Sequence, residues 1–369
     1  MPNYLESLLL GICEKLQLSP SLYKQANERY ESITKILQDD DAFNNTELNL
    51  YPHGSFKLKT TVKPIKDEDY DLDFVAEITS TTNMSPRDLY DHIFRILKND
   101  GIHTNMIEKK SRCIRINYAN AFHMDIMPGK RINEASSEII VPDKDLSNWY
   151  HHSDPKGFAK WFEDQARKQI LFERNIIQES FEIEKVTDQE LAEKLEPLRR
   201  AVQLVKRYRD IYCDENNREP VRSIIICALM GQISSFTGET IQIIERFCDY
   251  VNSLILKNKG KPFVVKNPVV EEELSEKWKE GNNFNDFVEM MKSLSSDIEQ
   301  LKTRCINADI NSLVKKMFGE NVTNLVIKER AQRLNESRES GLLSVNSNGT
   351  ITSNKNDTPI KKNTFYGDQ

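Results

Sequence analysis

The chain has few cysteines and no paired cysteine motif. The six cysteines among its 369 residues lie at positions 13, 113, 213, 227, 248 and 305, without C-x-x-C spacing. A disulfide framework and a structural zinc site are therefore not expected, because both use cysteines at short, recurring spacings. This cysteine usage is typical of a protein of the reducing cytoplasm, which is the localisation that the sequence predicts.

Long apolar runs, a basic leader and an excess of positive charge are also missing. The first residues, MPNYLESLLLGICEKL, carry acidic Glu6 where a secretory signal would have basic residues. No apolar run has the length of a membrane-spanning helix, so no membrane association is expected. The formal net charge of −6 argues against a protein that coats nucleic acid by bulk electrostatics.

What the sequence does contain is an acidic motif at strand-like positions. In the run YDLDF, Asp71 and Asp73 alternate with apolar residues, and Asp125 lies in a second alternating run, FHMDIMP. Since side chains alternate faces along a strand, Asp71 and Asp73 share one face, and Asp125 points away from the core of its own strand. Neighbouring carboxylates repel each other unless a cation holds them, so the pattern predicts a metal site.

A glycine-serine pair precedes these carboxylates, in the run YPHGSF. Gly54 would let the backbone approach a triphosphate closely, and the amides and hydroxyl of Gly54-Ser55 could bond its oxygens. Three aspartates on adjacent strands suit two Mg²⁺ ions, with Mn²⁺ as an alternative, because these hard cations prefer carboxylate oxygens and substrate phosphates. The combination indicates phosphoryl or nucleotidyl transfer.

Periodicity places this motif in an α+β lobe that is followed by a helical lobe. Residues Tyr4–Leu37 are expected to be helical with a restart at Pro20, and Ser85-Pro86 begins another helix by a capping box. The strands expected in this lobe are Leu48–Tyr51, Tyr70–Ile78, Ser111–Tyr118, Phe122–Pro128 and Glu138–Val141. We predict a catalytic lobe at 1–150, a helical lobe at 151–340 and a flexible tail at 341–369.

The helical lobe is marked by capping signals and helical periodicity. Helices are expected after Asp154, after a capping box at Thr187-x-x-Glu190, and from Pro197 to about Ile211. The last of these presents a polar face made of Arg199, Gln203, Lys206 and Arg207. A buried helix at Val221–Met230 and a long one from Phe284 to Cys305 complete the lobe.

The runs HGSF, YDLDF and FHMDIMP together resemble the signature of the DNA polymerase β-like nucleotidyltransferase superfamily. The later runs WYHHSDPKGFAKWF, LRRAVQLVKRYRD, PVRSIIICALM and NPVVEEELSEKW resemble the bacterial CD-NTases, the cyclic GMP-AMP synthase/DncV-like or SMODS nucleotidyltransferases of CBASS anti-phage systems. The resemblance implies a polymerase β-like lobe with a mixed sheet and a long amino-terminal helix, a helical-bundle lobe, and an active site in the cleft between them.

The resemblance also implies roles for individual residues. Asp71, Asp73 and Asp125 would bind two magnesium ions, and Gly54 and Ser55 would hold the donor triphosphate. Two residues of the helical lobe would reach the phosphates, namely Lys206 in LVKRYRD and Ser223 in VRSIII.

Some of these residues also have ordinary structural interpretations. From the residues alone, Lys206 could also be a solvated lysine and Ser223 a helix cap. Arg112 and Arg115 are either a basic strip beside the cleft or a solvated strand edge.

The implied reaction joins NTPs, ATP among them, with release of pyrophosphate, to give a cyclic di- or trinucleotide second messenger. Implied partners are an effector activated by that messenger and ubiquitin-like machinery that conjugates the tail ending in NTFYGDQ. Activation by duplex DNA is not indicated, since the Cys/His insertion of the animal sensors is absent. Two alternatives stay open: a nucleotidyltransferase that makes linear oligonucleotides or modifies RNA or protein, and an inactive nucleotide-binding protein.

Overall fold

The computed structural model describes residues 4–44, 46–66, 69–119, 121–143, 145–171, 195–233, 238–303, 307–341, 344–345, 351–352 and 358–359. The helices are α1 (Tyr4–Leu16), α2 (Pro20–Gln38), α3 (Gly54–Lys57), α4 (Pro86–Asn99), α5 (Pro155–Leu171), α6 (Pro197–Asn216), α7 (Ser223–Gln232), α8 (Thr240–Lys257), α9 (Asn283–Thr303), α10 (Asn307–Phe318) and α11 (Glu320–Glu339). The strands are β1 (Leu48–Pro52), β2 (Tyr70–Ile78), β3 (Ile107–Lys109), β4 (Ile114–Tyr118), β5 (Phe122–Arg131), β6 (Ile139–Pro142), β7 (Trp149–Ser153), β8 (Ser344–Val345), β9 (Ile351–Thr352) and β10 (Thr358–Pro359).

Seven strands form one mixed sheet in the order β1-β2-β5-β4-β3, with β6 paired to the far part of β5 and β7 paired to β6. Strand β5 lies parallel to β2, and the other pairings are antiparallel. A parallel pair needs a crossover, and here the segment that carries α4 supplies it. The crossover is what brings two chain-distant acidic strands side by side.

The core of this sheet lobe lies between one face of the sheet and helices α2 and α4. Alternate residues of β2 and β5, such as Leu72, Phe74, Met124 and Ile126, are fully buried there. Ser85 caps α4 through a reciprocal capping box with Asp88, as the sequence predicts. The opposite face of the same strands is therefore free to carry polar groups.

The helical lobe has its own larger core, built by α5 to α11 and joined by α1. The buried stripe of α1 (Leu8, Leu9, Ile12 and Leu16) packs into this core, whereas α2 packs on the sheet. Pro20 and the Ser19 cap separate the two helices, as expected. The amino-terminal segment thus links the two lobes, and the division at residue 150 stays a prediction.

Several sequence-based expectations differ from the structure in detail. Strands β3 and β7 were not expected: β3 has only three residues, and β7 lies where strand signals fade. The Thr187-x-x-Glu190 box lies outside the described residues. In the described part of the tail, β8, β9 and β10 pair as a small antiparallel sheet, and flexibility of the tail remains a prediction. None of the described helices is both long and apolar enough to traverse a bilayer.

Candidate active site

The polar face of the central strands carries a row of three charged residues. The register places Asp73 directly opposite Asp125 across the parallel pair, and Asp125 directly opposite Arg115 across the antiparallel pair. The neighbouring row contains Asp71, opposite His123. Since directly paired residues point to the same face of a sheet, the three predicted carboxylates converge on one surface.

Gly54 lies directly against this surface. It has a φ of +58°, a conformation that favours glycine, and a Cβ added there would overlap the Asp73 carboxylate, only 3.2 Å from its carboxyl carbon. The preceding residue is tied to the same strand, because the His53 amide donates to the Asp73 carbonyl at 2.9 Å. The close backbone approach that the sequence assigns to Gly54 is therefore seen here toward an aspartate.

Gly54 and Ser55 open the short helix α3, and both line the cleft in front of the carboxylates. The first amides of a helix have no partner within the helix, so they are suited to bind an anion. The Ser55 carbonyl accepts from the Thr60 amide at 2.9 Å, which folds the following residues back onto the motif. The glycine-serine pair is thus held in place from both sides.

The electrostatics of the site reflect the crowding of negative charge. The side chain of Asp71 is 63% exposed and that of Asp125 is 17% exposed, so the acidic surface runs from open solvent into the protein. Partial exclusion of water raises the pKa of Asp71 above its ordinary value, and Arg115 opposes that shift. Burial lowers the pKa of His53, which favours a neutral imidazole beside the carboxylates.

Arg115 binds two of the three aspartates. Its Nε donates to Asp125 Oδ1 and its Nη2 to Asp125 Oδ2, both at 2.7 Å, and Nη2 also lies 3.2 Å from Asp71 Oδ1. The hydrogen bonds to Asp125 raise the pKa of the guanidinium. The interpretation of Arg115 as a solvated strand edge is therefore wrong. Counting residues across the hairpin of β4 and β5 would have placed it opposite Asp125.

Among the described residues, no three acidic, histidine or cysteine side chains already form a closed metal cage, and the Arg115 guanidinium lies among the carboxylates. The donor set nevertheless fits Mg²⁺, which usually takes one or two carboxylates together with waters and substrate phosphates. The same carboxylates already bind one positive charge, the Arg115 guanidinium. The residues present therefore fit the predicted metal, and its binding remains a prediction.

The carboxylates lie in a cleft of about 1140 Å³ that residues of both lobes line. All seven residues singled out in the sequence line it: Gly54, Ser55, Asp71, Asp73, Asp125, Lys206 and Ser223. The size is ample for a nucleotide site, since ligand pockets commonly measure some 300–1,000 Å³. The fold therefore brings the predicted site residues together at a single inter-lobe cleft.

The polar face of α6, for which a solvated position was one alternative, is buried. Arg199, Gln203, Lys206 and Arg207 are each at most 5% exposed. Their side chains donate to backbone carbonyls of the inter-lobe loop, which we define as residues 58–63. The face thus binds the loop that follows the glycine-serine motif.

Lys206 is the member of this face that also lines the cleft. Its Nζ donates to the Thr60 carbonyl at 3.0 Å and to the Thr60 hydroxyl at 3.2 Å, and burial lowers its pKa. The alternative of a solvated lysine is therefore wrong. Contact of Lys206 with a triphosphate remains a prediction.

Ser223 is the first residue of α7 rather than its cap, a position that Arg222 occupies. Its hydroxyl accepts from Arg209 Nη1 at 2.9 Å, and both residues line the cleft. The helix-cap alternative is thus wrong, and a phosphate-contacting role for Ser223 stays a prediction. Sequence reasoning missed Arg209. Its position one helical turn after Lys206 could have indicated that it lies near the same cleft.

Fold and site together define a two-lobed nucleotidyltransferase. Residues 4–166 match the family described as the Second Messenger Oligonucleotide or Dinucleotide Synthetase domain. Over its whole length the chain is similar to a c-di-GMP synthase of Roseivirga ehrenbergii, with 32% identity over 375 residues, 99% of this chain and 97% of that protein. The chain therefore belongs to the bacterial CD-NTase family, as the motifs indicated.

Further comparisons agree on the family and the fold. The cyclic dinucleotide synthase CdnG of Bradyrhizobium diazoefficiens is 25% identical over 91% of this chain and 86% of its own. The structure of a CdnG from that organism with GTP superposes with a TM-score of 0.72 at 23% identity, over 89% of this chain and 99% of that chain. The Vibrio cholerae enzyme DncV, with GTP and 5MTHFGLU2, gives 0.56 at 16% identity, over 86% of each chain. The predicted polymerase β-like fold is confirmed.

Proposed function

We propose that the chain is a cyclic dinucleotide synthase that joins two NTP molecules in two successive steps. The observation that supports this most is the placement of Asp71, Asp73 and Asp125 on one face of two adjacent parallel strands, at a cleft also lined by Gly54 and Ser55. The named relatives narrow the earlier expectation of a di- or trinucleotide to a dinucleotide.

In each step, the ribose hydroxyl of one nucleotide attacks the α-phosphorus of another. A phosphorus–oxygen bond forms and the hydroxyl proton passes to solvent. The bond from the α-phosphorus to the oxygen that bridges to the β-phosphate breaks, and pyrophosphate leaves with the electron pair. The second step closes the ring. Two Mg²⁺ ions held by Asp71, Asp73 and Asp125 would activate the hydroxyl and neutralise the leaving charge.

The protein's own groups have distinct parts in this proposal. Gly54 and Ser55 bind the donor triphosphate through first-turn amides and a hydroxyl, and the inter-lobe loop holds them in position. Lys206 and Ser223 face the same cleft from the helical lobe and supply a cationic and a hydroxyl donor. Positioning of the two nucleotides across the lobes provides the remaining catalytic effect.

We further propose that GTP is the preferred substrate and c-di-GMP the product. The support is that the 32% identical relative is named a c-di-GMP synthase and that a CdnG structure carries GTP. ATP, which the sequence analysis places among the substrates, is then a competing nucleotide. Arg209, Asp210 and the acidic residues Glu272, Glu273 and Glu276 line the cleft and offer both acceptors and donors for a base edge.

Incubation of the chain with an equal mixture of four NTPs and Mg²⁺, followed by phosphatase treatment and mass spectrometry, tests both proposals. The expected product is a phosphatase-resistant dinucleotide of two guanylates. A mixed guanine–adenine ring would overturn the base assignment, while a linear product sensitive to phosphatase would establish the rival linear polymerase. Absence of any product with each NTP pair would favour the inactive nucleotide-binding alternative.

The biological role that we propose is anti-phage signalling through an effector that the cyclic product activates. The support is membership of the CD-NTase family alone. Conjugation of the carboxy-terminal tail rests on the likeness of its last residues, which lie outside the described residues, to tails of this kind. Phage challenge of cells that carry the chain with its neighbouring genes, against the same cells with Asp73→Asn, tests the role. Equal plaque numbers on both would contradict it.

A further inference from the structure

Arg115 binds two of the carboxylates, Asp125 and Asp71, that the proposed function assigns to divalent cations. Its two nitrogens engage both oxygens of Asp125 in a two-point fork, and one of them reaches Asp71 as well. Fork-shaped pairs of this kind are among the stronger charge-assisted hydrogen bonds. They also use the carboxylate oxygens that a bound metal would need.

The register of the sheet builds this arrangement into the backbone. Arg115 on β4 is paired directly with Asp125 on β5, and Asp125 is paired directly with Asp73 on β2. The guanidinium therefore extends from the strand next to the one that carries Asp125. The Arg115 side chain is 23% exposed, hence partly shielded from water, and lies at the cleft wall. A single positive charge therefore offsets part of the repulsion among three carboxylates.

A divalent cation at Asp125 has to compete for oxygens that Arg115 engages, and two neighbouring cations repel each other. A triphosphate changes this balance because it brings several negative charges into the same cleft. The guanidinium can then leave the carboxylate for a phosphate group, with which it forms the same two-point hydrogen bonds.

We propose that Arg115 is a built-in competitor of the metal, which keeps metal affinity low until a nucleotide is present. It is a positioning residue that acts through Asp125. Metal and nucleotide then bind with positive coupling, and by thermodynamic reciprocity each strengthens the binding of the other by the same factor. This inference rests on the proposed function, since it assumes that Asp125 is a metal ligand.

The test is a titration of the full chain with Mn²⁺, in which free Mn²⁺ is counted by electron paramagnetic resonance. It is done alone and with a GTP analogue that carries a methylene between the α- and β-phosphates. Arg115→Gln removes the charge, and Arg112→Gln is the matched control, since Arg112 lines the same cleft. Arg115→Lys keeps the charge without the fork.

Without nucleotide, Arg115→Gln is expected to bind Mn²⁺ about tenfold more tightly than the wild type, a difference of about 1.4 kcal/mol. Arg115→Lys should fall between the two, and Arg112→Gln should match the wild type. The gain in Mn²⁺ affinity that the analogue produces should shrink in Arg115→Gln by the same factor. Unchanged or weaker binding by both Arg115 variants, with wild-type circular dichroism, would overturn the inference.

Asp125→Asn separates this inference from the function on which it rests. If Asp125→Asn binds Mn²⁺ as well as the wild type in the presence of the analogue, the metal assignment itself fails. If Asp125→Asn loses Mn²⁺ while Arg115→Gln gains nothing, the metal assignment stands and only the competitor role of Arg115 is rejected.

Discussion

Two polar surfaces meet at the cleft, and they are built on opposite principles. The sheet surface gathers Asp71, Asp73 and Asp125 around one guanidinium and leaves negative charge facing solvent. The α6 surface gathers three cationic side chains and Gln203, buries them, and directs them to neutral carbonyls of the inter-lobe loop. The first surface carries unsatisfied charge that suits a ligand. The second uses its hydrogen bonds to join the lobes.

The comparison predicts that changes to the sheet surface remove activity without loss of stability. Asp73→Asn should lower product formation by at least about 10³-fold, because metal-assisted charge stabilisation contributes several kcal/mol and each 1.36 kcal/mol is tenfold in rate. Its free energy of unfolding should stay equal or rise, since one repulsive charge is lost. Initial rates and urea unfolding measure both. Asp91→Asn, at an exposed ion pair on α4, is the control and should retain full activity.

The next largest loss of activity is expected from a change where Gly54 contacts the sheet surface. Gly54→Ala forces a Cβ onto the Asp73 carboxylate and should lower the rate about 10²-fold, the effect of a displacement of roughly 1 Å at a reacting centre. Gly101→Ala is a close control, because Gly101 also has a positive φ, +78°, but open space around it. That variant should lose about 1 kcal/mol of stability and little activity. Equal losses of activity in the two variants would show that strain, rather than the contact with Asp73, matters.

The α6 surface should show the opposite pattern, with stability affected first. Lys206→Met leaves the Thr60 carbonyl and hydroxyl without their buried donor and should lower the free energy of unfolding by roughly 1–3 kcal/mol. Thermal melting in the absence of nucleotide measures this. Lys257→Met, on the exposed side of α8, should change it little. An unchanged melting temperature for Lys206→Met would break the contrast between the two surfaces.

The smallest effect expected is a pH dependence of the difference in unfolding free energy between the wild type and Lys206→Met. Burial lowers the folded-state pKa of Lys206 below its ordinary value of 10.5, so the unfolded chain binds more protons between the two values. Stability of the wild type relative to Lys206→Met should therefore rise with pH in that window. Urea unfolding of both proteins from pH 7 to pH 10 would show it. A difference that shrinks as pH rises would contradict the sign.

Sequence reasoning predicted the sheet surface better than the α6 surface, for a physical reason. Period-two alternation fixes the face of Asp71, Asp73 and Asp125, and the strands themselves were predicted within a few residues. On α6, the period places Arg199 and Lys206 on one face, but nothing in the sequence shows that a loop from the other lobe covers it. Burial of a polar face depends on a tertiary partner, which local pattern does not specify.

The position of β5 in the sheet has a consequence for a chain that is still being made. Asp71 and Asp73 leave the ribosome more than forty residues before Asp125, and β5 must insert between β2 and β4, which precede it in the sequence. Until then the acidic pair has neither its third carboxylate nor the facing arginine of the completed row. The order of synthesis therefore leaves the row of Asp73, Asp125 and Arg115 incomplete in a nascent chain until β5 has been made.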